Sequence, residues 1–125
     1  MRVILLCFLL CCGQAIAKVD VEKTMKEMAF QYKQAYDAND PTTMLPALLE
    51  LGGLTEIALG ADYQPEQAAD FKQGLQQVHT AVQLATEAAR QQNIEEAKTQ
   101  LRQVDKLRKQ YHDKRKVSIW QLLFG

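Results

Sequence analysis

The chain has 125 residues, with 15 Lys and Arg against 15 Asp and Glu, 7% aromatic residues, 6 Gly, 3 Pro and 3 Cys. A chain of this length builds one hydrophobic core rather than two, and so few Gly and Pro leave too few turns for a sandwich or a barrel. A formal net charge of zero argues against a nucleic-acid binder driven by attraction to phosphates.

The N-terminal segment reads as an export signal. Met1-Arg2 is a short basic start, Val3 to Cys12 is an unbroken apolar run, and Ala15-Ile16-Ala17 offers the small residues that a secretory peptidase accepts. Ten apolar residues fall well short of the ~20 that a membrane-spanning helix needs. A lipoprotein reading would acylate Cys11 or Cys12, but Leu10 and Cys11 are poor residues to precede the acylated one. Residues 1–17 are therefore expected to be a cleaved signal peptide, with a mature secreted chain from Lys18 and no stable membrane insertion after cleavage. All three cysteines (Cys7, Cys11 and Cys12) go with the signal. Their loss excludes disulfides, thiolate metal sites, thiol nucleophiles and covalent c-type haem attachment from the mature chain. Residues 19–70 carry 10 acidic and 3 basic side chains, whereas residues 71–125 carry 5 acidic and 10 basic. Charge complementarity between antiparallel helices is the expected use of this asymmetry.

Four segments show apolar residues at alternating three- and four-residue steps, the period of one helical face. The first is expected from about Val19 to Ala38, with Val21, Met25, Met28, Tyr32 and Ala35/Tyr36 on one stripe. Asn39-Asp40-Pro41 ends it, because Pro disfavours helix at the residue before it. The second is expected from about Thr42 to Leu59, with Leu45, Leu48/Leu49, Leu54 and Ile57/Ala58 apolar. Gly52-Gly53 weakens it by roughly 1 kcal/mol per Gly, and such a pair either kinks a helix or admits something bulky close to its backbone. The third, about Pro65 to Arg90, starts with Pro in its first turn and carries Ala68, Phe71, Leu75, Val78, Val82, Ala85 and Ala89. Asn93, with Glu96 three residues on, gives the fourth its N-cap signature. That helix carries Ile94, Ala97, Leu101, Val104, Arg108 and Tyr111/His112 on one side. Short connections make consecutive helices antiparallel neighbours, so the expected fold is an all-α, up-down-up-down four-helix bundle. The tail, residues 117–125, is apolar, uncharged and holds the only Trp. It is expected to cap the open end of the bundle or to fray, with contact to a partner or a membrane surface as the alternative.

This topology brings the start of the first helix and the end of the fourth to the same end of the bundle. Met25 lies about one and a half turns into the first helix, and His112 lies a similar distance before Val117, where the charged part of the fourth ends. The two are expected at nearly the same height on neighbouring helices, with Phe71, Leu75, Leu54 and Ile57 lining the same layer. A thioether facing an imidazole across an apolar slot is a ligand pair for six-coordinate haem iron. Each residue alone has a plainer reading, Met as core filler and His as a surface or hydrogen-bonded group. Met28 competes as the thioether. His79, beside the third helix's stripe and nearer mid-bundle, is expected to be solvated. Di-iron chemistry fails for want of Glu-x-x-His pairs, since Lys109 and Gln76 stand three residues before His112 and His79. Cys/His zinc spacing and any Ser/His/Asp grouping are absent. Lys114-Arg115-Lys116 reads as cations favoured at a helix C-terminus, or as partners for haem propionates.

Three stretches, Val21-Glu22-Lys23-Thr24-Met25, Asp70-Phe71-Lys72-Gln73-Gly74 and Arg108-Lys109-Gln110-Tyr111-His112, resemble the soluble periplasmic cytochrome b562 family, itself an example of the up-down-up-down bundle. The resemblance runs from about Val21 to Lys116. It implies a periplasmic electron carrier, not an enzyme, that binds one non-covalent haem b with Met25 and His112 as axial ligands and has redox proteins as partners. It also implies that Phe71 packs on the haem and that Arg108 stands one turn before the His ligand; the chain is expected to be a monomer. Leu75 stands where the best-known member has a second pocket aromatic, and Gln73 where it has a His that is not a ligand. Two rival readings remain: haem carriage, which would use the same site, and a haem-free helical interaction or chaperone-like protein, supported by the Gln-rich surface, the charge asymmetry and the apolar tail.

Overall fold

The computed structural model describes the backbone of residues 19–124 and the side chains of residues 19–111. The signal-peptide reading of residues 1–17 lies outside these described residues. Four helices follow one another: α1 (Val21–Asp37), α2 (Pro41–Leu59), α3 (Pro65–Arg90) and α4 (Ile94–Phe124). No strand occurs among the described residues. Each helix packs on the next in the chain, and α1 meets α4 only sparsely, so the four-helix bundle closes loosely along the α1–α4 seam.

The helix boundaries follow from local chemistry. Asp20 caps α1 by accepting from the Lys23 N–H at 3.1 Å, so the helix starts at Val21 rather than at Val19. Asp40 caps α2, accepting from the Thr43 N–H at 2.8 Å and the Thr43 hydroxyl at 2.9 Å, which keeps its carboxyl below the ordinary pKa of 3.8. Pro41 then occupies the first turn, where its missing N–H costs nothing. The α3–α4 turn is a Schellman motif: Gln92 takes a left-handed φ of 62°, its N–H bonds to the Ala89 carbonyl, and the Asn93 N–H reaches the Ala88 carbonyl at 2.8 Å. Asn93 caps α4 through the Glu96 N–H at 3.1 Å, as its spacing predicts.

Two expectations need correction. α2 runs unbroken through Gly52 and Gly53. A Cβ on Gly52 would make only ordinary contact with Val82, at 3.7 Å, and one on Gly53 would meet nothing within 4 Å, so neither glycine is there to admit a close neighbour. The close charge pairs are mostly local. Among the described residues, Glu22–Lys26, Asp105–Arg108 and Asp105–Lys109 lie within single helices, and only Glu56–His79 joins two. His79 is accordingly not free in solvent but half-buried, 3.2 Å from Glu56.

The core is packed unevenly. Where α1 ends and α4 begins, it is built of alanine: Ala35, Ala85, Ala89 and Ala97 are fully buried, and Ala38, Ala47, Ala81 and Ala88 nearly so. Met44, Leu48 and Leu101 fill the remaining space with no exposed surface. Burying each of these larger side chains favours folding by about 1.5–3 kcal/mol. No buried side-chain nitrogen or oxygen among the described residues lacks a hydrogen-bond partner.

Candidate functional site

At the opposite end the helices do not close. A cavity of about 300 Å³ opens between α1, α3 and α4, with α2 behind it. Its walls come from the predicted stripes. α1 supplies Met25, Met28 and Tyr32, α3 supplies Phe71, Gly74, Leu75 and Val78, and α4 supplies Val104, Leu107 and Tyr111. Lys26, Asp105 and Arg108 also line it.

Of the residues singled out from sequence, Met25, Phe71, Leu75 and Arg108 line this one cavity, together with the competing thioether Met28. Met28 is the more deeply buried of the two methionines. His112 lies within α4, next to Tyr111 and one turn past Arg108, but its side chain is outside the described residues. Leu54 and Ile57 do not line the cavity. Ile57 is half exposed, and the α2 residue in the wall is Leu51. The cause is that α2 is apolar all round, so the period of its sequence does not say which face turns inward.

Aromatic rings stiffen one side. Phe71 packs between Tyr63 and Tyr111, with ring centroids 5.4 Å and 6.5 Å away. The Tyr63 hydroxyl donates to the Ala58 carbonyl at 2.7 Å, tying the α2–α3 turn to this cluster, and burial raises its pKa. The Tyr111 ring lies directly on the backbone of Gly74, where a Cβ would fall within 2.8 Å of its Cε1. A side chain at this position would force the ring to move. Tyr32 stands on the α1 side, stacked on Tyr36 at 5.9 Å. Its pKa is raised by burial first and by the nearby Asp105 carboxylate second.

The rim is charged. Asp105 accepts from Arg108 Nε at 3.2 Å and Nη2 at 3.0 Å, and pairs with Lys109 Nζ at 3.1 Å. Hydrogen bonding to Lys109, and then to Arg108, holds its carboxyl below the usual carboxylate value. Asp105 thus fixes the Arg108 guanidinium at the cavity edge. No group of three or more His, Cys, Asp and Glu that could hold a bare metal ion occurs among the described residues.

These residues suit a largely apolar group with anionic ends. The volume lies at the lower end of the range for small-ligand pockets. The walls are apolar and aromatic, two thioethers face the space, and Lys26 and Arg108 stand at its edge to meet carboxylates. The Met25 and Met28 side chains are the only described donors suited to a soft metal held within such a group. Sequence reasoning found the Met and Phe walls from their helical spacing, but it did not find the roles of Tyr32, Leu51 and Gly74. Gly74 had a readable signal, a glycine interrupting a strong helical stripe beside an aromatic.

Comparison with known proteins agrees with this geometry. The sequence profile for Cytochrome b562 matches residues 20–116, which takes in all of α1, α2 and α3 and most of α4. No curated protein matches the chain. With the profile spanning well over half of its length and the four-helix bundle in place, the chain belongs to the cytochrome b562 family, a family of haem b-binding electron carriers.

Proposed function

We propose that the chain is a periplasmic one-electron carrier that holds one non-covalent haem b in the α1–α3–α4 cavity, with Met25 and His112 as axial ligands. The observation that carries the reading is the cavity itself, an apolar cleft with thioethers on α1 and a cation from α4 at its edge, in a chain of this family. When bound, the haem supplies a one-electron iron couple, and two protein ligands leave no open position for oxygen or substrate.

The chain's own residues do the rest. Lys98 Nζ lies 5.7 Å above the Tyr36 ring. Counting along antiparallel helices from that pair puts Met25 about level with residue 109 and Met28 with residue 106, which favours Met25 as the partner of His112. Phe71 and Leu75 exclude water from one face. Arg108, oriented by Asp105, is placed to meet a propionate. The alanine-packed end holds the helices in one arrangement, which keeps reorganisation small between oxidation states. Export follows from the signal reading of residues 1–17, the partners are redox proteins, and the chain acts as a monomer.

Titration of the chain from Lys18 with haemin tests the reading. Dithionite reduction should give sharp split visible bands that saturate at one haem per chain. His112→Ala should abolish them, Met25→Ala should give a five-coordinate high-spin spectrum, and Met28→Ala should leave it low-spin. Broad free-haem absorption throughout would defeat the proposal, and a high-spin Met28→Ala beside a low-spin Met25→Ala would move the thioether to Met28. Fractionation of cells expressing the full chain should place it in the periplasm.

A further inference from the structure

Toward its far end α4 has few anchors. Val104 is its last buried residue among those described, Leu107 is half-buried, and Arg108, Lys109 and Gln110 are exposed. Little support comes from α1, which meets α4 only sparsely. Beyond Leu107, Tyr111 is the one described residue of α4 that is not exposed, and it stands immediately before His112.

The Tyr111 ring has a defined seat. It lies on the backbone of Gly74, where a Cβ would fall within 2.8 Å of Cε1, and it packs against Phe71 with ring centroids 6.5 Å apart. Phe71 packs in turn on Tyr63 at 5.4 Å, and the Tyr63 hydroxyl donates to the Ala58 carbonyl at 2.7 Å. Ala58 is fully buried in α2. A chain of rings thus ties the end of α4 to α3 and, through it, to α2. Glycine weakens a helix interior, so its presence at a buried position of α3 calls for a packing reason. The Tyr111 ring is that reason.

We propose that Tyr111 is a positioning residue for the His112 ligand, its seat on Gly74 and Phe71 fixing the rotation of α4 at the turn that carries the imidazole. The inference rests on the haem reading above. Successive residues of a helix are rigidly related, about 100° and 1.5 Å apart, so holding Tyr111 holds the backbone of His112. A rotation of α4 by about 30° would carry a Cα, about 2.3 Å from the axis, through about 1.2 Å. That exceeds the ~0.5 Å within which a ligand set must be held.

Haem titration of three variants of the chain from Lys18 tests this. Tyr111→Phe keeps the ring and should match the parent in affinity and in its low-spin bands. Tyr111→Ala should bind haem about 10- to 100-fold more weakly, with part of the bound haem high-spin at saturation. Gly74→Ala keeps Tyr111 but displaces its ring, and should give the same mixture. Millimolar imidazole, which needs no placement by α4, should restore low-spin bands to both. Without haem, the parent and Tyr111→Phe should show nuclear Overhauser contacts between the Gly74 α-protons and the ring of residue 111, and their absence would overturn the proposal. Far-ultraviolet circular dichroism reports whether each variant is folded; if Gly74→Ala is not, Tyr111→Ala alone decides. A Tyr111→Ala protein that binds weakly but is fully low-spin would reduce the ring to a wall of the cavity and defeat the inference while leaving the haem reading intact. A parent without low-spin bands would sink both.

Discussion

The two ends of this bundle are built from the same four helices and differ in how the space between them is filled. At one end Ala35, Ala85, Ala89 and Ala97 have no exposed surface, and Met44 and Leu101 fill the space that they leave. At the other, Met25, Met28, Tyr32, Phe71, Leu75 and Tyr111 hold the helices around a cavity of about 300 Å³. Alanines with a few large side chains between them make a clasp, and large side chains around an unfilled space make a frame. A cleft in a bundle is thus made by shutting one end so firmly that the other can stay open without losing the helix arrangement.

Substitutions that exchange the characters of the two ends test this directly. Ala85→Leu adds volume where none is free and should cost about 3 kcal/mol, measured by urea unfolding. Leu75→Phe adds volume beside the cavity, and its urea midpoint in the haem-free protein should stay within that of the parent or exceed it. A large loss in Leu75→Phe and none in Ala85→Leu would reverse the comparison. Gly74→Ala drives a methyl into the Tyr111 ring and should cost about 1–3 kcal/mol, with altered near-ultraviolet circular dichroism as the Phe71–Tyr111 cluster shifts. Gly53→Ala, with nothing within 4 Å, should instead raise stability by about 1 kcal/mol.

The smallest expected effect is electrostatic. The folded-state pKa of Asp105 is lowered by its Lys109 and Arg108 partners, so its contribution is fully present above the ordinary carboxylate value of 3.8 and fades as pH falls through the lowered one. Asp105→Asn should therefore reduce the thermal midpoint slightly at pH 7, and its curve should merge with that of the parent in strong acid. Equal midpoints at pH 7 would mean that this exposed network contributes nothing measurable.

Much of the fold was legible in the sequence, for reasons that differ between elements. α3 runs from Pro65 to Arg90, as its Pro and its stripe imply, and Asn93 caps α4 through the expected N–H. α1 begins two residues late because Asp20 takes the capping role. The phase of α2 was not legible. A helix with Leu at 45, 48, 49, 51, 54 and 59 offers several equivalent faces, and only packing selects Leu51 for the cavity and leaves Leu49 and Ile57 exposed. The alanine clasp was equally hidden, because alanine is both the best helix former and a packing residue, and composition does not separate the two uses. The cavity's α1 and α3 walls were readable because Met25, Met28, Phe71 and Leu75 fall at helical spacing among polar neighbours.

The sparse seam between α1 and α4 has a thermodynamic consequence. α1 is held mainly by α2, so part of the bundle's cohesion is left for whatever fills the cleft. A ligand that binds only the folded chain adds its binding free energy to that of folding, by about 2.7 kcal/mol at a hundred times its dissociation constant. The melting temperature of this protein is then a binding curve in disguise, rising with free ligand long after the cleft is saturated. Amide exchange in α1 should slow along with it, while the alanine-packed end, already closed, changes least.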